Sequence, residues 1–422
     1  MLVAKKTVFC WKINFQKPNL FISLVRLKKM KNQFFIKSYP NFSMKKFLHV
    51  ICFDNPYPAN YGGAIDMYYK LKEMKNADVF IILHVFIYKN KAFSKPELLE
   101  IADVVHYYTR KTGLFSNLNT LPYIVYSRRS KGLLNNLLLD NHPILFEGLH
   151  SCFLLNSKEL SQRIKLVRAH NIEHQYYNFL SVSTHSLWKK LYYKIESIRL
   201  KFFESNLSAA NTILAISSTD KSYFDTRFKS NAVELLPCFT NTASNILAQS
   251  TRNESNYFLY HGNLAVVENE QAVLFLIEKV LPLVTNETIF KIAGNNPTSL
   301  LKEKIMNASN VVLIQNPDDK EIHELIANAK ANVLITFQPT GIKLKLLNAL
   351  YQGGFCIVNR DMIQGTDLNQ HCIEANSPAS IALAIDSLND KEFSLEAKNE
   401  RLSLLSKMYS NSENVKLILN HL

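Results

Sequence analysis

Short apolar runs alternate with longer helical patterns along most of this chain of 422 residues. The alternation is clearest in the second half, where the last two helical patterns repeat apolar side chains at three-to-four spacing. It is typical of βα units that build a parallel sheet, so it predicts a doubly wound α/β domain. The predicted strands are 256–261, 288–293, 310–315, 331–337 and 355–359, and the predicted helices are 268–284, 299–307, 319–330 and 341–352.

The first half shows a similar pattern, and the chain is longer than the roughly 250 to 300 residues at which a single core stops growing. We therefore predict two βα domains, residues 44–243 and 256–422, joined by a polar linker at 241–255. The last helix of the second domain is a candidate to cross back to the first. The predicted strands of the first domain are 47–53, 79–87, 103–108, 143–146, 164–169 and 212–216.

Residues 1–43 contain nine basic and no acidic side chains, which account for most of the formal net charge of +14. The remainder is mildly basic, so nucleic acid is not an expected partner. The apolar runs of this segment are too short to span a bilayer. Met44 directly precedes the first predicted strand, so we interpret residues 1–43 as an over-extended reading frame. A basic membrane-surface or targeting segment is the alternative.

Six cysteines are scattered without a CxxC pair, and several lie in apolar runs where cysteine behaves as a small hydrophobic residue. They indicate reduced thiols and a cytoplasmic protein.

A long helical pattern in the first domain combines apolar side chains with surrounding lysines. We interpret it as an amphipathic helix that packs on the domain and keeps a basic face in solvent. Peripheral contact with the inner face of the membrane is the alternative. The apolar side chains are Leu187, Leu191, Ile195, Ile198 and Phe202.

Glycine and polar residues follow the predicted strands of the first domain, at the strand ends where open α/β sheets bind ligands. Gly62 and Gly63 lie at a helix start, where free backbone amides can approach a phosphate or a sugar. The histidines can bond hydroxyl or phosphate groups and change protonation near neutral pH; capping of the following helices is the structural alternative. The residues at the two later strand ends are Glu147, His150, Arg168, His170 and Glu173.

Glycines also follow predicted strands of the second domain, at Gly262, Gly294 and Gly341. Lys343 and Lys345 lie in the first turn of the helix predicted after Gly341. Cations are unfavourable at a helix N-terminus unless an anion compensates, so the sequence predicts a phosphate site there. Positions two apart on a helix point about 200° from each other, so we expect Lys343, nearer the helix start, to face the phosphate.

Four segments stand out in this order: 60–63, 168–174, 260–264 with 268–269, and 339–350. Together they resemble retaining glycosyltransferases of the large family 4, which have the GT-B architecture. The resemblance is strongest to the branch found in Bacteroidetes surface-polysaccharide clusters, and it extends from Met44 to the C-terminal region. It implies two Rossmann-like domains that face each other across a cleft and transfer a sugar from a nucleotide-sugar to an acceptor.

The resemblance also implies roles for individual residues. His170 would contact the transferred sugar and act as the catalytic residue. Gly62, Gly63, Gly262, Asn263 and Gly294 would bind the donor. From their positions after strands we add Thr340, Gly341, Lys343 and Lys345 to the donor-binding residues, and we expect Glu147, His150, Arg168 and Glu173 to be acceptor-side or supporting residues.

The chain departs from the family pattern in the donor-binding segments. The paired glutamates that are usual in the segment holding Thr340 and Asn348 are missing, and Asn263 and Glu268 stand where an arginine and a lysine commonly hold the diphosphate. We expect the lysines after Gly341 to supply the missing charge. The expected partners are a UDP- or GDP-sugar donor and a glycan or lipid-linked acceptor in surface polysaccharide synthesis, with no metal or other cofactor.

Two other interpretations stay open. Without the paired glutamates, the chain is compatible with a degenerate, non-catalytic GT-B protein that binds a nucleotide or supports a partner enzyme. Residues 170–174 also match the HxxEH pattern of inverted zinc peptidases. That zinc site needs both histidines on one helical face, whereas His170 directly follows a predicted strand.

Overall fold

The computed structural model describes residues 45–89, 96–113, 116, 119–184, 186–241, 255–338 and 340–422. The basic segment 1–43, most of the predicted linker (242–254) and Pro339 lie outside the described residues. Two parallel sheets with helices packed on them, one sheet in each domain, confirm the predicted α/β class.

The first domain has a seven-stranded sheet with the order β3-β2-β1-β4-β5-β6-β7, and all neighbouring strands are parallel. The edge strand β7 was not predicted: of its four residues only Val233 is buried, and Glu234 interrupts the apolar residues. The strands are β1 Phe47–Cys52, β2 Phe80–Ile87, β3 Val104–Thr109, β4 Ile144–Glu147, β5 Lys165–Ala169, β6 Thr212–Ala215 and β7 Ala232–Leu235. The helices are α1 Gly62–Asn76, α2 Tyr123–Tyr126, α3 Lys131–Leu137, α4 Glu173–Ser183, α5 Leu187–Phe203 and α6 Ser218–Arg227.

The second domain has a six-stranded sheet with the order β10-β9-β8-β11-β12-β13, also parallel throughout. The strands are β8 Ser255–His261, β9 Ile289–Gly294, β10 Val311–Gln315, β11 Ala329–Leu334, β12 Phe355–Val358 and β13 Ile373–Glu374. The helices are α7 Val267–Phe275, α8 Ser299–Met306, α9 Asp319–Asn328, α10 Leu344–Gln352, α11 Arg360–Ile363, α12 Pro378–Asp386, α13 Leu395–Met408 and α14 Asn411–Leu419.

Three predicted helix boundaries in this domain are wrong, each for a local reason. The helix predicted over 268–284 is α-helical only to Phe275 and continues as short π and 3₁₀ turns. The helix predicted over 319–330 ends at Asn328, because Ala329 already pairs with the neighbouring strand β8. The helix predicted over 341–352 starts at Leu344, because the backbone of Gly341 has φ of 68°, which is incompatible with a right-handed helix.

The last helix, α14, belongs to the core of the first domain. Its side chains Val415 and Ile418 are buried in the cluster that contains Leu48 and Met67, and it packs against α1. The C-terminal end of the chain therefore stabilises the domain that begins at β1. No helix among the described residues has the length and apolar character needed to cross a bilayer.

The predicted orientation of the amphipathic helix, now α5, is wrong. All five apolar side chains expected to pack on the domain are exposed. The helix instead buries Ser197, Leu200 and Phe203 and packs against α4. Leu200 and Phe203 belong to the apolar core of the first domain, and the buried Glu196 carboxylate accepts a 2.7 Å hydrogen bond from the backbone nitrogen of Tyr123, so these contacts together favour this orientation.

Candidate active site

A cavity of about 290 Å³ lies where the carboxyl ends of β1, β4 and β5 face the segment that leads into α10. The first domain lines it with Gly62, Gly63 and side chains that follow β4 and β5, and the second domain contributes Ile342 and Leu344. Ligands of doubly wound sheets bind at such strand ends. This space, called the cleft cavity below, is the candidate active site.

His170 lines the cleft cavity directly after β5, with a carboxylate beside each ring nitrogen. Its Nε2 lies 3.0 Å from Glu147 Oε2, and its Nδ1 lies 3.8 Å from Asp66 Oδ2. Because a carboxylate accepts hydrogen bonds, Nε2 is the nitrogen that donates to Glu147. Nδ1, which is beyond hydrogen-bond distance of Asp66, is then the nitrogen that can bond a ligand.

Asp66 and Lys70 of α1 complete this cluster and were not predicted from the sequence. The Lys70 ammonium donates to Asp66 Oδ2 at 2.8 Å and to Glu147 Oε2 at 3.0 Å, and all three side chains are buried. The signal that could have revealed them is an opposite-charge pair four residues apart in the helix that follows the double glycine.

Arg168 contacts this cluster through Asp66 but does not line the cleft cavity. It is fully buried and donates to Asp66 through Nη2 at 3.0 Å and Nε at 3.2 Å. It also donates to the backbone oxygens of Leu236 and Pro237. Although burial raises the pKa of Asp66, Arg168 and Lys70 lower it well below its usual range. Asp66 is therefore an ionised anchor for the basic groups around it.

Asp66, Glu147 and His170 place three potential metal-ligand atoms within 4.8 Å of one another. A divalent cation at this point would compete with the Lys70 ammonium, which already bonds both carboxylates. The charges of the cluster therefore fit an ion-pair network better than a metal centre.

His150 and Glu173 form a second pair on the wall of the cleft cavity. His150 Nδ1 lies 3.7 Å from Glu173 Oε1. Burial and the Glu204 carboxylate raise the pKa of Glu173 to about 8, and burial and the Arg128 guanidinium lower the pKa of His150 well below its usual range. At neutral pH we therefore expect a protonated Glu173 and a neutral His150.

The two histidines of the HxxEH pattern bond different carboxylates. His174 Nδ1 lies 3.2 Å from Glu204 Oε2, whereas His170 bonds Glu147. The helix α4 begins only at Glu173, so His170 and His174 do not share the helical face that the zinc site requires. The structure does not form the ligand pair of an inverted zinc peptidase.

The loops after β8 and β9 meet so closely that one of them needs a glycine. A Cβ on Gly294 would overlap the backbone oxygen of Gly262. The backbone oxygen of Asn263 accepts a 2.9 Å hydrogen bond from Asn269, whose Oδ1 accepts a 2.8 Å bond from Lys345 Nζ. The structure thus brings four predicted donor-binding residues together: Gly262, Asn263, Gly294 and Lys345.

The remaining predicted residues of the second domain lie on the loop before α10. Lys343 is the N-cap residue of α10 and does not lie in its first turn; its Nζ donates to the backbone oxygens of Thr340 at 2.6 Å and Gly341 at 3.1 Å. Gly341 itself packs against the first domain, where a Cβ would overlap Asn171 Oδ1. Thr340 bonds the Gln338 side chain and borders a separate groove.

The Lys343 and Lys345 ammonium groups lie in an environment that disfavours their charge. Burial lowers the pKa of Lys343 to about 8 and that of Lys345 to about 7. Both side chains are partly exposed, and among the described residues the ammonium groups donate hydrogen bonds to neutral oxygen atoms. An anionic ligand would stabilise both cations.

No protein-family model matches the chain. An uncharacterized 44.6 kDa protein in the cps region of Klebsiella pneumoniae is 26% identical over 335 residues, which cover 76% of this chain and 84% of that protein.

Similarity to solved structures extends over most of the chain. Sucrose-phosphate synthase from Thermosynechococcus elongatus has a TM-score of 0.63 and 12% identity, covering 89% of this chain and 98% of that chain. HepE of Anabaena, in complex with UDP and glucose, has a TM-score of 0.62 and 12% identity over the same shares of the two chains. The chain has the GT-B fold.

Proposed function

We propose that the chain is a glycosyltransferase that moves a sugar from a nucleotide-sugar to an acceptor bound in the cleft cavity. The observation that carries the proposal is the position of His170: it lines a cavity at the strand ends of a GT-B fold, and buried carboxylates fix its ring. A histidine oriented in this way can bond a sugar hydroxyl through Nδ1 while Glu147 holds Nε2.

The second domain would hold the diphosphate of the donor. Lys345 is linked through Asn269 to the loop after β8, and its ammonium is bonded to neutral partners. Positive charge and backbone amides at this point would stabilise the charge that develops on the leaving nucleoside diphosphate. Because Lys343 bonds the carbonyls of its own loop, we assign the larger share of this role to Lys345, against the expectation from the sequence.

A UDP-sugar is the first donor to test, since HepE of Anabaena binds UDP and glucose in a fold of the same kind. Similarity to a protein of a cps region supports a role in surface polysaccharide synthesis, with a glycan or lipid-linked acceptor.

We further infer that the transfer retains the configuration of the sugar. An inverting transfer needs a general base beside the acceptor hydroxyl. The carboxylates among the described residues of the cavity wall are Asp66, which is held by two cations, and Glu173, which carries a proton near neutral pH. Neither carboxylate is a free base, but His150 and His170 are further candidate bases on the same wall. The inference of retention therefore rests on the resemblance to retaining family 4 enzymes, and the anomeric configuration of the product, read by NMR, tests it.

The decisive experiment measures donor hydrolysis and sugar transfer with a panel of UDP- and GDP-sugars. We expect turnover by the wild type and a decrease of about 100-fold in His170→Ala, the scale typical of a lost polar catalytic group. His371→Ala is the matched control, because His371 is partly exposed on a short turn, Asn369–His371, beside β13. If the wild type binds a nucleotide without turnover, the chain is a non-catalytic GT-B protein. If both variants have equal turnover, His170 has a structural role.

A further inference from the structure

Helix α5 presents a continuous apolar surface to solvent. Its most exposed members, Trp188 and Phe202, are 83% and 76% accessible. On a helix with 100° between residues, all members fall within an arc of about 100°, the width of a face that normally packs against something. This surface, called the apolar stripe below, consists of Leu187, Trp188, Leu191, Ile195, Ile198 and Phe202.

Basic side chains border the apolar stripe. Lys190, Lys194 and Lys201 are exposed along one edge, and Arg199 lies beyond the other. The helix contains one acidic residue, Glu196, which is buried on the opposite side and bonded to a backbone amide and to Arg199. The exposed face of α5 is therefore apolar at its centre and cationic at its edge.

We propose that α5 docks onto a lipid bilayer that contains anionic headgroups. An apolar stripe with Trp, Phe and Leu, flanked by lysines, is the pattern of helices that lie in the plane of a membrane interface. The apolar side chains would enter the headgroup region, while the lysines would bond phosphates. The helix is 17 residues long, so it would lie along roughly 25 Å of the surface.

Charge complementarity favours a bilayer over a second copy of the chain. In a symmetric dimer through α5, each stripe would face the other stripe, and the lysine edges would approach each other without an acidic partner on the helix. An anionic bilayer has both an apolar interior and a negatively charged surface. The buried side of α5 packs on α4, which would hold the helix parallel to the membrane.

A groove of about 660 Å³ leads from this helix toward the second domain. Ile198 and Lys201 line it on the α5 side, and Thr340 lines it on the other. Tyr176 lines both the groove and the cleft cavity. If the proposed function holds, an acceptor carried by a membrane lipid could reach the cleft through this groove, and this consequence rests on that function.

The docking itself is tested without any activity measurement, by sedimentation of the full-length chain with vesicles. We expect binding to vesicles of equal parts phosphatidylglycerol and phosphatidylcholine, and little binding to phosphatidylcholine alone. Trp188→Ser combined with Phe202→Ser should weaken binding about tenfold or more. Lys190→Gln, Lys194→Gln and Lys201→Gln should each weaken it about fivefold at low salt.

The matched control combines Leu139→Ser and Met306→Ser, which replace equally exposed apolar side chains away from α5 and should leave binding unchanged. Residues 1–43 are also basic, so every comparison uses variants of the same full-length chain. Trp11→Phe leaves Trp188 as the only tryptophan of the chain, and its emission should shift to shorter wavelength with anionic vesicles.

Unchanged binding by the Trp188→Ser, Phe202→Ser variant would overturn the proposal. So would a dimer in ultracentrifugation that this variant dissociates, because it would assign the stripe to a second copy. Donor hydrolysis in solution should be equal in the wild type and this variant, so loss of vesicle binding and failure of the proposed function remain distinguishable.

Discussion

Replacing either of two buried glutamates at the candidate site with glutamine is expected to change the stability of the protein, but in opposite directions. Glu147 accepts hydrogen bonds from Lys70 and His170, and those partners lower its pKa against the effect of burial. Glu173 lies 3.7 Å from His150 and is hydrogen bonded to the Asn171 side chain, and burial raises its pKa to about 8. The same side chain is thus held ionised at one position and protonated at the other.

Glu147→Gln should destabilise the protein by about 3 kcal/mol near neutral pH, because the substitution leaves the buried Lys70 ammonium with one carboxylate fewer. Urea unfolding followed by circular dichroism measures the change. Substituting Lys70→Met in the same protein should recover part of the loss; no recovery would show that the two residues act independently.

Glu173→Gln should stabilise the protein increasingly as pH rises. The unfolded glutamate loses its proton near pH 4.5, whereas the folded one keeps it to about pH 8, so the wild type loses stability across that window. Glutamine has no proton to lose, and the gain at pH 8 should be on the order of a few kcal/mol. Unfolding free energies of both proteins from pH 5 to pH 8 provide the measurement, and parallel curves would contradict the assignment.

At the scale of elements, the backbone conformation of the loop before α10 depends on one glycine. Gly341 has φ of 68°, and a Cβ there would overlap Asn171 of the first domain. Gly341→Ala should therefore lower stability by about 1–3 kcal/mol, as expected for strain in the left-handed region. Gly132→Ala is the control: this helical glycine of α3 has room for a Cβ and should gain about 0.5–1 kcal/mol. Thermal unfolding of both variants tests the contrast.

At the scale of the whole molecule, nucleotide binding by the second domain should be linked to proton binding. The pKa values of Lys343 and Lys345, about 8 and about 7, mean that both lysines lose charge as pH rises from 6 to 9. A bound diphosphate stabilises the charged forms, so the Kd of UDP should rise about tenfold or more between pH 7 and pH 9, where the nucleotide itself stays ionised.

Calorimetry in two buffers of different ionisation enthalpy should detect proton uptake on UDP binding at pH 8. Lys345→Arg keeps its charge and should flatten the pH dependence, whereas Lys345→Ala should weaken binding at every pH. An identical Kd at pH 7 and pH 9, with no proton uptake, would place the diphosphate elsewhere.

The sequence by itself determined the class of fold. Eleven of the strands occur where apolar runs predicted them, because a buried parallel strand requires such a run in any context. It also located the strand-end loops that hold His170, Gly62, Gly262 and Gly294, since strand ends are local features. The edge strands β7 and β13 were missed, because Glu234 interrupts the apolar residues of β7 and β13 has only two residues.

Only the tertiary structure decided which side chains meet and which faces are covered. Asp66 and Lys70 lie about a hundred residues from Arg168, and their ion pairs depend on α1 packing over β4 and β5. Six apolar residues of α5 have the spacing of a buried face, yet they are exposed because Glu196, Leu200 and Phe203 hold another side of the helix against the domain. Helical periodicity shows that a face is apolar, but the partner that covers it is set by contacts distant in the sequence, which local patterns do not encode.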